Sequence, residues 1–196
     1  MMAAPNKSTY TKKYMIKEGL PIYVRHAKKC SYGGIRNLNS IKYIVVHYTS
    51  GSSDSSANEA TYFATGNTRS AGAHFFVDKQ GIIFKTVNMK EIAYSVGGLY
   101  TLSNGAGRYY RKCTNTNSIS IELCSYVKGM PVKAQMQAVA CLIKYIQRKC
   151  PNAKTIIRHW DVNGKCCPAP MAGKSSINWK TFKKKMKVAG VKAKWA

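Results

Sequence analysis

The sequence predicts an α/β domain with a central mixed β-sheet flanked by helices, and three stretches carry that prediction. Ile41-Lys42-Tyr43-Ile44-Val45-Val46-His47-Tyr48 is apolar on both of its faces, the pattern of a strand central in a sheet. Ser118 to Cys124 alternates with period two, setting Ile119, Ile121 and Leu123 on one face and Ser120, Glu122 and Cys124 on the other. Met136, Val139, Ala140, Ile143 and Ile146 recur at helical spacing, so 133–149 reads as an amphipathic helix stopped by Pro151. Strands interleaved with helices, without an internal repeat, make one mixed sheet with helices packed on it.

The other elements follow in chain order. Residues 1–39 read as a basic N-terminal extension with turn signals at Ser31-Tyr32-Gly33-Gly34. The main domain spans 40–175. After the first strand, Thr49 to Asp54 forms a loop that supplies helix caps, and a short helix over 56–65 is expected to turn Tyr62 and Phe63 inward. His74-Phe75-Phe76-Val77 and Ile82-Ile83-Phe84-Lys85 flank Asp78-Lys79-Gln80-Gly81, which predicts a hairpin. From Gly97 to Asn117 the chain is rich in Gly, Asn and Tyr and reads as a long irregular loop, a class that often carries function. Thr155-Ile156-Ile157-Arg158 is a short strand. Residues 176–196 form a Lys-rich helix and tail whose apolar stripe is Trp179, Phe182 and Met186.

Composition bounds the function. A chain of 196 residues, 45% hydrophobic, has enough material for one core without disulfide staples. Lys and Arg number 32 against 7 Asp and Glu, a formal net charge of +25 that favours polyanionic partners. The lysines are spread along the chain and do not alternate with aromatics on a strand face, so no nucleic-acid partner is expected. No apolar run approaches the roughly 18 residues of a membrane span, so no stable membrane insertion is expected either. An anionic membrane surface and the anionic polymers of a bacterial wall are both compatible with the charge, which alone does not choose among polyanions. Seven cysteines, an odd number without a signal-like apolar stretch near Met1, argue for reduced thiols and for synthesis in a cytoplasm.

Of the four histidines, His26, His47, His74 and His159, two close apolar strands: His47 after Ile44-Val45-Val46 and His159 after Ile156-Ile157-Arg158. Strand ends are rigid places from which ligands can converge. Cys166 and Cys167 follow His159 across a Gly-containing loop. Two imidazoles and one thiolate would make a three-ligand zinc site with a fourth position for water, the catalytic pattern. Spacing alone does not choose between the two cysteines, and each histidine taken singly would more often be structural. Glu122, flanked by Ile121 and Leu123 in an expected buried strand, is either desolvated, which raises its pKa toward the range of a general base, or satisfied by neighbouring lysines.

Four segments occur in order: Ile44-Val45-Val46-His47-Tyr48-Thr49, Ala73-His74-Phe75-Phe76-Val77-Asp78, Asn117 to Ser125, and Arg158-His159-Trp160-Asp161 running on through Lys165-Cys166-Cys167-Pro168 to Pro170. Together they resemble the type 2 N-acetylmuramoyl-L-alanine amidases, and among those most the catalytic domains of phage endolysins from Gram-positive hosts. The resemblance covers about 40–187. It implies a zinc amidase acting on peptidoglycan, with His47, His159 and Cys167 as zinc ligands, Cys167 occupying the Lys-x-Cys-Pro position. It also implies Glu122 as general base and Lys165 as the residue that steadies the oxyanion. Ala73 stands where some relatives carry a catalytic tyrosine, so no tyrosine role is implied. Ala93-Tyr94-Ser95-Val96-Gly97 replaces a Trp-His-Cys-Gly found in many endolysins. His74 is expected to be structural. A monomer acting at the wall outside the cytoplasm completes the expectation.

Overall fold

The computed structural model describes residues 4–98, 100 and 106–196. Its centre is an eight-stranded sheet in the order β1-β2-β6-β5-β8-β4-β9-β10, with β3 and β7 forming a separate two-stranded ladder. The strands are β1 Lys12–Met15, β2 Pro21–Val24, β3 Tyr32–Ile35, β4 Tyr43–Tyr48, β5 Phe75–Val77, β6 Ile83–Lys85, β7 Glu91–Ala93, β8 Ser118–Leu123, β9 Thr155–Arg158 and β10 Lys194–Trp195. The helices are α1 Ser56–Thr61, α2 Lys133–Lys149, α3 His159–Asn163 and α4 Ile177–Val188. β4 runs parallel to β8 on one side and to β9 on the other, while β5 and β6 pair antiparallel, so the sheet is mixed as expected.

The two faces of this sheet differ, and the difference positions the site. Ile44 and Val46 of β4, Ile119, Ile121 and Leu123 of β8, and Phe75 and Val77 of β5 point into the main core. There they meet Val139, Leu142, Ile143 and Ile146 of α2 and Trp179, Phe182 and Met186 of α4. The period-two alternation then sends Val45 and His47, with Ser120 and Glu122, to the opposite face. That second face has only small apolar clusters, one of them Val45 with Ile157 and Val162. It is where polar groups gather.

The hairpin forms around Asp78, whose carboxylate accepts from the backbone N–H of Gln80 and Ile82 and, at 2.7 Å, from the Ser56 hydroxyl of α1. Gly81 sits at φ +81°, and a Cβ there would lie 3.0 Å from the Ala134 carbonyl of α2, so both conformation and space call for glycine. α1 begins at a Ser55 cap and ends sooner than the predicted helix, giving way to a wider π-type turn over Tyr62–Gly66. That widening breaks the 3.6-residue phase. Phe63 still packs on Phe76 at 5.3 Å between centroids, but Tyr62, expected inward, is 39% exposed.

The stretch read as an N-terminal extension contributes β1 and β2 to one edge of the sheet, with Ile16 and Ile22 buried. At the other edge β10 pairs with β9, and Trp195 packs edge-on to Trp179. Residues on both sides of 40–175 are therefore built into the sheet. Of the expected loop over 97–117, Leu99 and residues 101–105 lie outside the described residues. The rest is irregular, with tight turns through 108–113 and a 3-10 turn at Asn115–Asn117. All seven cysteines are free thiols. Among the described residues no helix is long and apolar enough to cross a membrane.

Candidate metal centre

Sheet register brings the first two residues together. His47 on β4 is the cross-strand partner of Glu122 on β8, so both side chains leave the same face at the same height. β9, on the other flank of β4, ends at Arg158 and delivers His159 as the first residue of α3. The chain then turns at Gly164, φ +83°, and returns Cys167 to the same spot. His47, His159 and Cys167 are all buried, and one donor atom from each lies within 4.8 Å of the other two. Cys166 is exposed and Cys167 buried, which separates the two thiols that spacing left equivalent.

The donor atoms suit a metal ion. His47 Nδ1 faces Cys167 Sγ at 3.7 Å, close to the roughly 3.5 Å that tetrahedral Zn–N and Zn–S bond lengths would set between two ligands. His159 Nε2 lies 3.2 Å from the Gly97 carbonyl, which can only accept, so the ring proton sits on Nε2. His159 Nδ1 is left buried with its lone pair free and no protein partner among the described residues. A ligating imidazole ordinarily has this arrangement, one nitrogen on the metal and the other held by a carbonyl. Asn163 donates to the same Gly97 oxygen at 3.0 Å and fixes it in place.

Electrostatics point the same way. Burial drives the His47 pKa well below its ordinary value and lowers that of His159 to about 4, with Lys165 adding to both effects, so both rings are neutral donors. Burial pushes the Cys167 thiol far up, with the Glu122 charge adding to it. An ionised sulfur in such a pocket requires a cation beside it. Glu122 Oε1 is 3.9 Å from His47 Nδ1 while Oε2 has no protein partner among the described residues. Burial lifts the Glu122 carboxyl to about 7, against the pull of Lys165. Lys165 is exposed at the rim, and it lines one cavity of about 330 Å³ with His47, Glu122, His159 and Cys167. All five residues singled out in the sequence thus meet around one space.

His74 does not join them. It is fully buried beneath β7, with Nδ1 at 3.0 Å from the Ser120 hydroxyl and Nε2 at 2.9 Å from the Arg36 guanidinium. Burial and the Arg36 charge hold it neutral, with its pKa down at about 3. It braces β5 against β8, as a structural histidine does. His26 lies elsewhere, paired with Glu91 at 3.0 Å.

Two supporting groups were not singled out in the sequence. One is the Gly97 carbonyl, which carries no side-chain signal at all. The other is the buried pair Arg158–Asp161, which brackets His159. Arg158 Nε and a terminal nitrogen donate to the Asp161 oxygens at 2.9 and 2.7 Å. Another guanidinium nitrogen donates to the carbonyls of Met171 and Gly173, tying down the segment that carries Cys167. An Arg and an Asp three residues apart around a strand-end histidine was the available signal.

Comparison with known proteins agrees with this geometry. Residues 37–170 match the family model described as N-acetylmuramoyl-L-alanine amidase. The chain is 32% identical over 154 residues to the N-acetylmuramoyl-L-alanine amidase CwlL of Bacillus licheniformis, covering 76% of this chain and 41% of that protein. It is 30% identical over 155 residues to the N-acetylmuramoyl-L-alanine amidase XlyB of Bacillus subtilis strain 168, covering 78% of this chain and 43% of that protein. The chain thus spans less than half the length of these relatives. Among solved structures, the catalytic domain of XlyA superposes with a TM-score of 0.60 at 23% identity, over 84% of this chain and 98% of that one, which shows a shared fold. The chain belongs to the N-acetylmuramoyl-L-alanine amidase family.

Proposed function

We propose that the protein is a zinc-dependent amidase that hydrolyses the bond between the muramoyl lactyl group and the first L-alanine of peptidoglycan, as a phage or prophage endolysin does. The observation that carries this reading is the meeting of His47, His159 and Cys167 beside Glu122 in one open cavity. When bound by those three residues, zinc would supply Lewis-acid polarisation and a lowered pKa for water. The protein's own groups do the rest. Glu122, desolvated on β8, accepts a proton from the attacking water and returns it to the departing amine of L-alanine. Lys165, on the rim, sets its positive charge toward the oxygen on which negative charge develops. Gly97 and Asn163 keep the His159 ring in one orientation.

Mass spectrometry of digested peptidoglycan tests this. The expected products are intact glycan strands and stem peptides with new L-alanine amino termini, formed without chelator, suppressed with it and restored by zinc. Wall binding without new amino termini would instead make this a recognition module, and chelator-resistant cleavage would remove the metal from the account.

The enzyme is proposed to act as a monomer, made in a bacterial cytoplasm and working at the wall. Its charge suits the anionic wall polymers: the stretch from Trp179 to Ala196 carries Lys180, Lys183, Lys184, Lys185, Lys187, Lys192 and Lys194 and no acid. Because exposed charges are screened over about 8–10 Å at physiological salt, adsorption to purified wall should weaken steeply as salt rises toward 1 M. Salt-independent adsorption would rule out charge as the anchor.

A further inference from the structure

The face of the molecule turned away from the metal centre carries a surface of its own. A cavity of about 300 Å³ lies between the start of α2 and the end of α4. Pro131, Met136, Met186 and Ala189 line it with apolar groups, and the exposed Lys133 and Lys185 stand among them. α4 extends this surface. Ile177, Thr181, Lys184 and Val188 recur at helical spacing on its outer side, opposite the buried Trp179, Phe182 and Met186. Ile177 and Val188, at the two ends of that stripe, are 77% and 83% exposed, and Val132 at the start of α2 is exposed as well. Lys180, Lys185 and Lys187 flank the stripe. One exposed aliphatic side chain is ordinary, but three beside an apolar cavity and among lysines give this face a mixed apolar and cationic character.

The lysines of this face have no counter-charge. Beyond Glu122 the only acidic side chain is Asp161, which is buried and paired with Arg158 at 2.7 Å. Glu18 is paired with Arg148 near the far end of α2. Asp78, in the hairpin whose Gly81 lies against Ala134 of α2, is buried with its oxygens taken up by Ser56, Gln80 and Ile82. Such a surface repels a second copy of this chain, whose net charge is +25. A soluble polyanion would engage the lysines and leave Val132, Ile177 and Val188 in water. An anionic bilayer engages both. Lysine stems lie along apolar surface with their ammonium groups among lipid phosphates, and short aliphatic side chains enter the edge of the acyl region. The sheet sets what such docking would present: α2 and α4 cover the face that holds Ile119, Ile121 and Leu123, while His47 and Glu122 leave the opposite one.

We propose that the face made by α4 and the start of α2 docks the protein reversibly on an anionic phospholipid surface, with Val132, Ile177 and Val188 entering the boundary between headgroups and acyl chains. This is adsorption and not insertion, since no described helix is long and apolar enough to span a bilayer. Docked in this way, the metal centre opens away from the lipid. Only the use of that orientation, which turns the centre toward the wall, rests on the amidase reading above; the adsorption itself needs nothing from the centre.

Co-sedimentation of the full chain with lipid vesicles tests this without any activity assay. Vesicles of phosphatidylglycerol and phosphatidylcholine in equal parts should bind the wild type at least about tenfold more tightly than phosphatidylcholine alone, since each lysine near an anionic surface contributes about fivefold. Lys133→Glu with Lys185→Glu should remove most of that binding. Arg108→Glu with Lys112→Glu makes the same charge change at exposed positions on the metal-centre side and should cost far less, because charges remote from the lipid are screened. Val132→Ser with Val188→Ser keeps every charge and should weaken vesicle binding by about tenfold, while adsorption to purified wall stays unchanged. Vesicle binding that ignores phosphatidylglycerol, or that falls equally in the two charge-reversed pairs, would overturn the proposal. So would a serine pair that binds vesicles as the wild type does, or one that loses wall adsorption to the same degree, which would assign the face to a wall polymer. In the unaltered protein, spin-labelled lipid should broaden the NMR signals of Ile177 and Val188 and spare those of Arg108 and Lys112; the reverse pattern refutes the docking face.

Discussion

Glu122→Gln is expected to lower kcat/KM on peptidoglycan fragments by about 10²–10⁴-fold, the usual contribution of a positioned general base, while zinc content and melting temperature change little. The substitution keeps the shape and the hydrogen-bonding oxygen but removes the ability to take a proton. Because Glu122 lies opposite His47 in the β4–β8 ladder, a larger change would disturb the ligand as well as the base, and glutamine separates the two effects. The expected signature is therefore a fall in kcat with metal still bound. Near-wild-type lysis by this variant would remove Glu122 from the chemistry and leave its elevated pKa a consequence of burial alone.

Arg158→Met should be the most destabilising single change near the site. Arg158 is 3% exposed, and its loss leaves the Asp161 carboxylate buried without its counter-charge and two loop carbonyls without a donor. Breaking such a pair costs about 3–5 kcal/mol. The guanidinium also lies over the Trp160 and Trp179 rings, at 4.5 and 5.1 Å, so it ties β9 and α3 to α4. Chemical denaturation should show the loss, and zinc affinity should fall with it, because His159 and the Cys167 segment lose their shared brace. The double variant Arg158→Met with Asp161→Leu should recover part of the stability, since removing both charges leaves none unpaired. A single variant within about 1 kcal/mol of wild type would mean that the pair is incidental to the fold.

The elements that build the site were legible because their signals are local. β8 and α2 announce themselves through periods of two and 3.6 residues, and β4 and β9 through short apolar runs, and the structure places all four close to their expected limits. The faces of β8 were legible too, and they set Glu122 apart from Ile121 and Leu123. The edges were not. Lys12-Lys13-Tyr14-Met15 carries the lysines that keep an edge strand from pairing further, and those same lysines hide it as a strand. Tyr62 was misplaced because a helical wheel assumes constant phase, and the wider turn shifts it to the rim. Arg36 and Gly97 act through contacts between residues 38 and 62 positions apart, and no local pattern encodes these. Spacing alone does not choose between Cys166 and Cys167; the Lys-x-Cys-Pro resemblance points to Cys167, and the loop from Gly164 buries that thiol and leaves Cys166 exposed.

Zinc K-edge X-ray absorption on the purified protein, combined with metal analysis, addresses the centre itself. The account predicts one zinc per chain, with two nitrogen ligands at about 2.0–2.1 Å, one sulfur at about 2.3 Å and a light-atom fourth ligand. Loss of the sulfur shell in Cys167→Ser and its retention in Cys166→Ser should follow. Substoichiometric metal, a shell without sulfur, or a sulfur shell that disappears with Cys166 would contradict it.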